Sequence, residues 1–417
     1  MGTKFPKPKD INFPAVENRI EHKFEKCSEE DGARGKKDPL ASSICELKSG
    51  NILISYLYRD EKNLIMKSFL SIFSVPDLKL IEKYEFETEV NDIIYTVAYA
   101  FQLKNGNIFS ICDKFYFFDG ESISKGPKTT SEEVNSISCH KIDGVFIDPN
   151  DIFKNKQIKK PSRIYLCDFM MEPKEGIILY TSDLYKSNLE INLLDISNLE
   201  NIDTKGKTVY SNDLSKNHSY HFDIICQSEH YPENLYVIAN LEESINNSDG
   251  CRLLIFNIDD FLDKTSSSKK PVNTIEVSGS QNVFAILEYD KQYLLLDTMN
   301  NGIYIINIEM QQKAAVCNLR IIQEIGGKII SLGKRDKKVK KDIFRTLYRR
   351  MIKLKDGQVL TVDEGSFGVT DINEQKKVIP PPQDNIYASA KFVISGNYII
   401  VIQPVGTKLF AYKFKDD

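Results

Sequence analysis

Tryptophan is absent from this sequence of 417 residues, although it contains 20 tyrosines and 23 phenylalanines. The aromatic part of any core must therefore come from those two residue types. Long apolar runs are absent too, and none approaches the roughly 20 residues that a helix needs to cross a bilayer. The first ten residues are basic and interrupted by prolines, without the apolar stretch of a secretory signal. We therefore expect neither a transmembrane segment nor secretion.

Paired cysteines are also missing, because the eight cysteines are spread singly and no Cys-x-x-Cys occurs. We interpret them as reduced thiols buried in the strands of a cytoplasmic protein rather than as disulfides. An excess of one charge is lacking as well, since 55 basic residues oppose 59 acidic ones, a net charge of −4. This balance does not favour nucleic acid as a partner. A hydrophobic fraction of 41% is ample for a globular core.

Signatures of catalysis are likewise missing. The sequence holds no Gly-x-Ser-x-Gly, no His-Glu-x-x-His and no phosphate-binding loop. Its only histidine-rich stretch is His218–His221, with Asp223, Cys226 and His230 nearby. Two histidines on a loop that enters a strand are not fixed on one face, so we interpret them as structural or surface residues rather than metal ligands. The sequence predicts no catalytic residue, no metal site and no cofactor.

What the sequence does contain is a recurring module. Its clearest copy, Gln102–Phe118, consists of an apolar strand, a polar turn, a second apolar strand, a turn at Asp113 and a third strand. Echoes of its first turn occur at Leu47–Ser55 and Leu354–Asp363. The three copies share a glycine at the same turn position: Gly50, Gly106 and Gly357.

Seven units of about four strands follow one another, at about 42–87, 96–150, 162–210, 222–277, 283–318, 350–379 and 388–414. The last unit is one strand short, and Arg19–Phe24 has the alternation to supply it. A lone four-stranded sheet exposes two faces and two edges, so such sheets are stable when neighbours cover them. The sequence therefore predicts an all-β fold, a β-propeller of about seven four-stranded blades over residues 19–417, after an irregular arm at 1–18. Residues 28–40 are predicted to form a loop.

The stretch Tyr293–Ile306 resembles the second and third strands of a WD-repeat blade, with an aspartate in the tight turn between them. The aspartates at this turn position are Asp113, Asp297 and Asp363. The Trp-Asp dipeptide of that family is missing from every unit, and the residues near the place of its aspartate are Asp195, Asn257 and Asp371. The resemblance implies a WD-repeat-like propeller, a structural role for the turn aspartates and a protein-interaction role for the chain.

One segment departs from the composition of the rest. Residues 334–353 carry ten basic residues and two aspartates, a net charge of +8 in a chain of −4, so the remainder carries −12. Helical spacing of the apolar residues predicts a short basic amphipathic helix, through Val339, Ile343, Phe344, Leu347, Tyr348 and Met351. The candidate partner-binding residues, in the basic insertion 334–349 and at its border, are Lys334, Arg335, Lys337, Lys338, Lys340, Lys341, Arg345, Arg349 and Arg350. The alternative is a solvated insertion loop whose apolar side covers a blade.

The function predicted from these features is a non-enzymatic scaffold or complex subunit that binds other proteins through loops and the rim around a central channel. One alternative is an enzyme or small-ligand binder that uses carboxylates and histidines in that channel. Another is a peripheral protein that binds an anionic membrane surface, or an acidic protein, through residues 334–353.

Overall fold

The computed structural model describes residues 6–16, 23–32, 40–60, 65–86, 99–111, 115–118, 120, 122–124, 170–183, 189–197, 207–211, 220–241, 251–263, 269–277, 283–298, 302–318, 320–325, 328–332, 351–363, 366–379, 391–402 and 408–415. Over these ranges the chain is almost entirely β-structure. The exceptions are a 3-10 helix at Pro8–Ile11 and one short α-helix, α1 (Ile258–Leu262).

The strands of the first half form three sheets, which we call blades 1 to 3. The first strand of the chain is β1 (Lys23–Asp31). Blade 1 contains β2 (Leu40–Glu46), β3 (Ile52–Asp60), β4 (Ile65–Phe73) and β5 (Leu80–Glu85). Blade 2 contains β6 (Tyr99–Gln102), β7 (Ile108–Ile111) and β8 (Phe115–Phe118). Blade 3 contains β9 (Met170–Lys174), β10 (Ile177–Asp183), β11 (Leu189–Asp195) and β12 (Lys207–Ser211).

Four further blades follow. Blade 4 contains β13 (Tyr220–Gln227), β14 (Asn234–Leu241), β15 (Cys251–Asn257) and β16 (Asn273–Val277). Blade 5 contains β17 (Val283–Glu288), β18 (Tyr293–Thr298), β19 (Gly302–Asn307) and β20 (Gln312–Asn318). Blade 6 follows the hairpin β21 (Arg320–Ile325) and β22 (Lys328–Leu332), and contains β23 (Met351–Lys353), β24 (Val359–Asp363), β25 (Ser366–Asp371) and β26 (Lys376–Ile379). Blade 7 contains β27 (Lys391–Ser395), β28 (Tyr398–Ile402) and β29 (Lys408–Lys415).

Within each blade the strands pair in chain order as an antiparallel meander. Blade 7 takes its fourth strand from the other end of the chain, because its order is β1-β29-β28-β27. The chain is therefore an all-β propeller of four-stranded antiparallel blades, and its N-terminal strand completes the last blade. Of the seven sheets in the described ranges, six have four strands or more and blade 2 has three.

Three details of the sequence prediction need correction. The closing strand, predicted at 19–24, continues to Asp31 and takes up residues predicted as the start of the loop at 28–40, while 19–22 lies outside the described residues. Pairing along β29 supplies partners for the backbone of this charged segment, and these outweigh its poor strand composition. The first strand of the unit at 162–210, predicted to end at Met170, continues to Lys174, and 162–169 lies outside the described residues. The arm predicted to be irregular contains the 3-10 helix at Pro8–Ile11.

Blade 6 is wider than the module predicts. The hairpin expected across Gly326 and Gly327 is present, and its strand β21 pairs in parallel with β26. The sheet therefore has six strands, in the order β22-β21-β26-β25-β24-β23. The hairpin covers the edge that β26 would otherwise leave unpaired.

The chain divides into two compact units. The first unit comprises Cys27–Thr208 and Val393–Ala411, and the second comprises Met1–Lys26, Val209–Phe392 and Tyr412–Asp417. A core of the first unit lies between blades 1 and 7, where Ile54 and Phe69 pack with Ile400. A core of the second unit lies between blades 5 and 6, where Leu295 and Ile305 pack with Val359. The alternating apolar residues of neighbouring blades thus bury one another.

Replacing Tyr56 by phenylalanine should stabilise the protein. Tyr56 is 0% exposed and stacks on Phe69 at 4.8 Å, and its hydroxyl has no hydrogen-bond partner among the described residues. Burial, with the nearby charge of Asp31, raises the pKa of this phenol well above its usual value. Since an unsatisfied buried hydroxyl costs about 1–3 kcal/mol, we expect Tyr56→Phe to raise the free energy of unfolding by about 1 kcal/mol in urea denaturation.

The matched control is Tyr58→Phe on the same strand. Tyr58 is buried as well, but its hydroxyl donates a hydrogen bond to Oε1 of Glu85. Removal of the Tyr58 hydroxyl should lower the free energy of unfolding by about 1 kcal/mol. Equal effects of the two substitutions would contradict the different roles assigned to the two hydroxyls.

Candidate functional site

The predicted partner-binding residues fall outside the described ranges. Residues 333–350, which hold all nine candidates from Lys334 to Arg350, are not described. The predicted helix is wrong at its end, because Met351 lies in strand β23 and is buried against blade 5. The last basic residue of the segment, Lys353, donates a hydrogen bond to the carbonyl of Tyr289 at 3.0 Å and lies 4.1 Å from the centre of its ring. The last three residues of the basic segment, Met351–Lys353, are therefore part of a sheet.

The turns between the first and second strands of blades 1, 2 and 6 have the same backbone geometry. We call this connection the first turn of a blade. In each, the glycine N–H donates to the leucine carbonyl three residues earlier, over 2.8–3.0 Å. The glycines all have positive φ, at +82° for Gly50, +94° for Gly106 and +85° for Gly357. The shared sequence Leu-Lys-x-Gly thus reflects a shared conformation in which the fourth position favours glycine.

The variable residue of this turn also has a repeated role. Its side-chain oxygen accepts a hydrogen bond from the backbone N–H two residues later, as in an Asx-turn. The acceptors are Ser49 Oγ at 3.3 Å, Asn105 Oδ1 at 2.9 Å and Asp356 Oδ1 at 2.9 Å. Three different residue types therefore stabilise one conformation.

The first turns of neighbouring blades in the first unit are bound to one another. The N–H of Lys48 donates to Gln102 Oε1 at 2.7 Å, and its Nζ donates to the carbonyl of Lys104 at 2.9 Å. One blade further on, Lys104 donates from its N–H to Glu172 Oε2 and from its Nζ to the carbonyl of Pro173 at 2.6 Å. Glu172 lies in β9 and accepts through Oε1 from the N–H of Gly176 in the first turn of blade 3, at 2.8 Å, so the turns of blades 1, 2 and 3 are linked in series.

The same link recurs in the second unit, between blades 4 and 5. Glu288, the last residue of β17, accepts hydrogen bonds from Ser228 Oγ at 2.6 Å and from the N–H of Glu229 at 2.6 Å. It also accepts from the N–H of His230 at 3.3 Å and from the hydroxyl of Tyr236 at 3.4 Å. Burial, followed by the charge of Glu288, raises the pKa of the neighbouring Cys226 thiol to about 12. A single carboxylate thus holds the first turn of blade 4.

Blades 5 and 6 are linked through Tyr289. Its hydroxyl donates to the carbonyl of Gly357 at 2.8 Å, while its own carbonyl accepts from Lys353. Burial and the charge of Asp290 raise the pKa of Tyr289 to about 12, so the hydroxyl remains a donor at neutral pH. The sequence did not indicate these linking residues, because each bonds to a partner more than 50 residues away.

The ends of the third strands carry a second recurring device. In four blades the last residue of this strand accepts, through Oδ1, a hydrogen bond from a backbone N–H two or three residues later. The four are Asp195 at 3.0 Å, Asn257 at 3.0 Å, Asn307 at 2.8 Å and Asp371 at 2.9 Å. Three of them were identified from the WD-repeat resemblance, and Asn307 was not. These residues fix the turn that leads to the fourth strand.

Two of the three predicted turn aspartates lie in strands instead of turns. Asp297 is 6% exposed and lies one residue before the end of β18, and Asp363 is the last residue of β24. Asp113 lies outside the described residues. Of the histidines, His221 lies in β13 and His230 is exposed on the first turn of blade 4. Over the ranges that the structure describes, no three His, Cys, Asp or Glu side chains come together as a metal-binding group.

The cysteines agree only in part with their interpretation as buried thiols. Cys251 and Cys317 are buried, Cys45 and Cys226 are half-buried, and Cys27 is exposed. None of these five described cysteines forms a disulfide. Cys27 departs from the prediction because it lies on β1, the outer strand of blade 7.

An ordered arm lies over blades 5 and 6 of the second unit. We call residues 6–16 the N-terminal arm. Phe13 is 5% exposed, and the centre of its ring lies 4.7 Å from that of Tyr289 and 5.2 Å from that of Tyr293. The backbone of the arm accepts hydrogen bonds from Tyr293, Val316 and Asn373. The arm is thus seated through the side chain of Phe13, with Ile11 packed against the same core, and through its main-chain carbonyls.

The antiparallel four-stranded blades and the capped ends of their third strands define a WD-repeat-like β-propeller. No protein family and no curated protein matches the sequence. Among solved structures, the chain is similar to the Pan2 WD40 domain of Neurospora crassa, with 9% identity and a TM-score of 0.47 over 96% of this chain and 97% of that one. Among the residues described, no helix is long and apolar enough to span a membrane.

Proposed function

We propose that this chain is a non-enzymatic scaffold that binds other proteins through its exposed turns as a subunit of a larger complex. The observation that carries the proposal is the series of polar links between the first turns of neighbouring blades. In the first unit these links join Lys48, Lys104 and Glu172, and in the second unit they centre on Glu288.

The links favour binding because they fix the backbone of exposed segments in advance. Lys48, Lys104, Glu229 and His230 are exposed on the turns that the links hold. A surface whose loops are already ordered loses less conformational entropy when a partner binds. Backbone order is supplied by the blades, and the exposed side chains are then available for recognition.

Affinity isolation of the tagged chain from its native source, after brief crosslinking, tests this proposal. We expect specific partners that remain bound through size-exclusion chromatography in a complex larger than the 47.7 kDa chain. Recovery of the chain alone, at its monomer size, would count against a scaffold role.

The basic insertion is proposed as one of the partner-binding segments, for an acidic protein. Replacing Lys337, Lys338, Lys340 and Lys341 by glutamine should weaken partner recovery, and partner binding to the natural chain should fall as salt rises because exposed charges are screened. The matched control changes four exposed lysines of the described residues to glutamine: Lys79, Lys174, Lys270 and Lys291. Equal recovery with both quadruple variants would remove the insertion from the interface.

The same two variants distinguish binding to an anionic membrane from binding to an acidic protein. Vesicles with and without an anionic phospholipid would be mixed with each chain and floated on a density gradient. Each lysine near an anionic surface contributes about 1 kcal/mol to binding. Flotation only with anionic vesicles, abolished in the insertion variant and kept in the control, would favour a membrane surface over an acidic protein.

A further inference from the structure

We propose that the surface formed by Tyr289, Tyr293, Val316 and Asn373 is a docking site for a proline-interrupted peptide segment of a partner protein that carries a phenylalanine anchor. We call this surface the arm site. In this structure the chain's own N-terminal arm occupies it. The inference deepens the proposed scaffold role, on which it rests, by naming one site and the chemistry of its ligand.

The anchor of the site is an aromatic contact. Phe13 is buried, and it lies against the rings of Tyr289 and Tyr293 at tilted angles of 45° and 48°. Aromatic rings at such angles and distances attract one another beyond the effect of burial alone. A peptide without a large aromatic residue at this position would lose the main apolar contact.

Between the described residues of the arm and of the arm site, the hydrogen bonds all run in one direction. Asn373 Nδ2 donates to the carbonyls of Phe13 at 3.3 Å and Pro14 at 2.8 Å. The hydroxyl of Tyr293 donates to the carbonyl of Ile11 at 3.0 Å, and the N–H of Val316 donates to the carbonyl of Pro6 at 3.1 Å. The arm site therefore supplies the donors, and the bound segment supplies main-chain acceptors that any sequence possesses.

Proline suits such a site. The arm carries prolines at positions 6, 8 and 14, and proline has no N–H that would need an acceptor. The ring of each proline also fixes its φ before binding, so less backbone entropy is lost when the segment binds. Lys7 and Lys9 are exposed, so their side chains do not define the ligand. Recognition depends on the phenylalanine and on the proline-interrupted backbone around it.

The arm is a competitor tethered to the same chain. A tethered segment acts at an effective concentration in the millimolar range, so it weakens the binding of a free peptide of similar sequence. Releasing the arm should therefore open the site to a peptide added in solution. This makes the inference testable with the full chain.

The experiment uses a fluorescein-labelled peptide with the sequence of residues 5–16 and measures its anisotropy with the full-length chain. The natural chain and its Phe13→Ala variant, whose arm has lost the anchor, would be compared. We expect the variant to bind the peptide at least about tenfold more tightly than the natural chain does. A peptide in which the phenylalanine that corresponds to Phe13 is replaced by alanine should not bind either chain.

A second substitution assigns the binding to the arm site. In the Phe13→Ala chain, Asn373→Ala should weaken peptide binding about tenfold, since two hydrogen bonds are lost. Asn397→Ala, at an exposed asparagine of blade 7, is the matched control and should leave it unchanged. If the Phe13→Ala chain does not fold, a protease site within residues 17–22 of the natural chain releases the arm instead, and exchange of the cleaved arm for labelled peptide is measured.

Peptide binding that is equal in the natural and Phe13→Ala chains, or that does not need the phenylalanine, would overturn the inference. So would a cleaved arm that does not exchange, because the arm would then be a permanent part of the structure. If the natural chain forms concentration-dependent dimers that Phe13→Ala abolishes, the ligand of the arm site is the arm of a second copy and not a partner peptide. None of these results bears on the affinity isolation, which tests the scaffold role separately.

Discussion

Replacing Glu288 by alanine should lower the free energy of unfolding by about 2–3 kcal/mol, because a carboxylate with several donors is removed from a partly buried position. Ser228, which is 3% exposed, would lose the acceptor of its hydroxyl, and the N–H of Glu229 would lose its 2.6 Å hydrogen bond. Tyr236 would lose its contact with the same carboxylate. Urea denaturation followed by tyrosine fluorescence measures the change.

Two further variants separate the parts of this effect. Glu288→Gln keeps an acceptor oxygen but removes the charge, so it should cost about half as much as alanine. Glu233→Ala is the control, since this glutamate of blade 4 is exposed and its bond to the described residues is made by its backbone carbonyl, which accepts from the N–H of Ile258. We expect it to stay within about 0.5 kcal/mol of the natural chain. A loss for Glu288→Ala no larger than that of Glu233→Ala would show that the link does not stabilise the two blades.

The local repeats were predictable because their signals lie within a few residues of one another. Gly106 is preceded by a polar residue that caps the turn and followed by an apolar strand, so the sequence alone predicts the conformation. The same holds at Gly50 and Gly357. The sequence also predicted that blade 7 needs a strand from the N-terminus, although pairing with β29 extends β1 to Asp31.

The links between blades were not predictable in this way. Lys48 and Gln102 are 54 residues apart, and Ser228 and Glu288 are 60 apart. The chain has 59 acidic residues, and nothing in the local sequence distinguishes the carboxylate of Glu288 from the others. Only the stacking of one blade on the next brings a particular oxygen to a particular N–H. The candidate site therefore depended on tertiary structure.

The position of the N-terminal arm was even less predictable from the sequence. The arm's prolines and charges predict an irregular segment, and Pro8–Ile11 forms a 3-10 helix instead. Its position, however, depends on Phe13 meeting two tyrosines, with Tyr293 OH bonding across 282 residues of sequence. A single aromatic residue among prolines gives no signal of its distant partners. Local composition thus indicated neither the 3-10 helix nor the contact.

Replacing Gly176 by alanine should lower the free energy of unfolding by about 3 kcal/mol, of which about 1 kcal/mol arises from the left-handed backbone and the rest from a clash. Gly176 has φ of +77° in the first turn of blade 3. A Cβ here would lie 3.0 Å from Cα and Cβ of Ser197 and 3.2 Å from its nitrogen. These atoms cannot move freely, because the carbonyl of Gly176 accepts from the N–H of Ile196 at 2.7 Å.

Gly396 provides the matched control for this prediction. It also has positive φ, +54°, but a Cβ there would meet no atom within 4 Å. Gly396→Ala should therefore cost only the backbone strain, about 1 kcal/mol. The difference between the two substitutions in urea denaturation measures how closely the turn of blade 3 packs on the turn that follows β11. Equal losses would mean that Ser197 moves aside without cost, and that these two turns do not form a rigid surface.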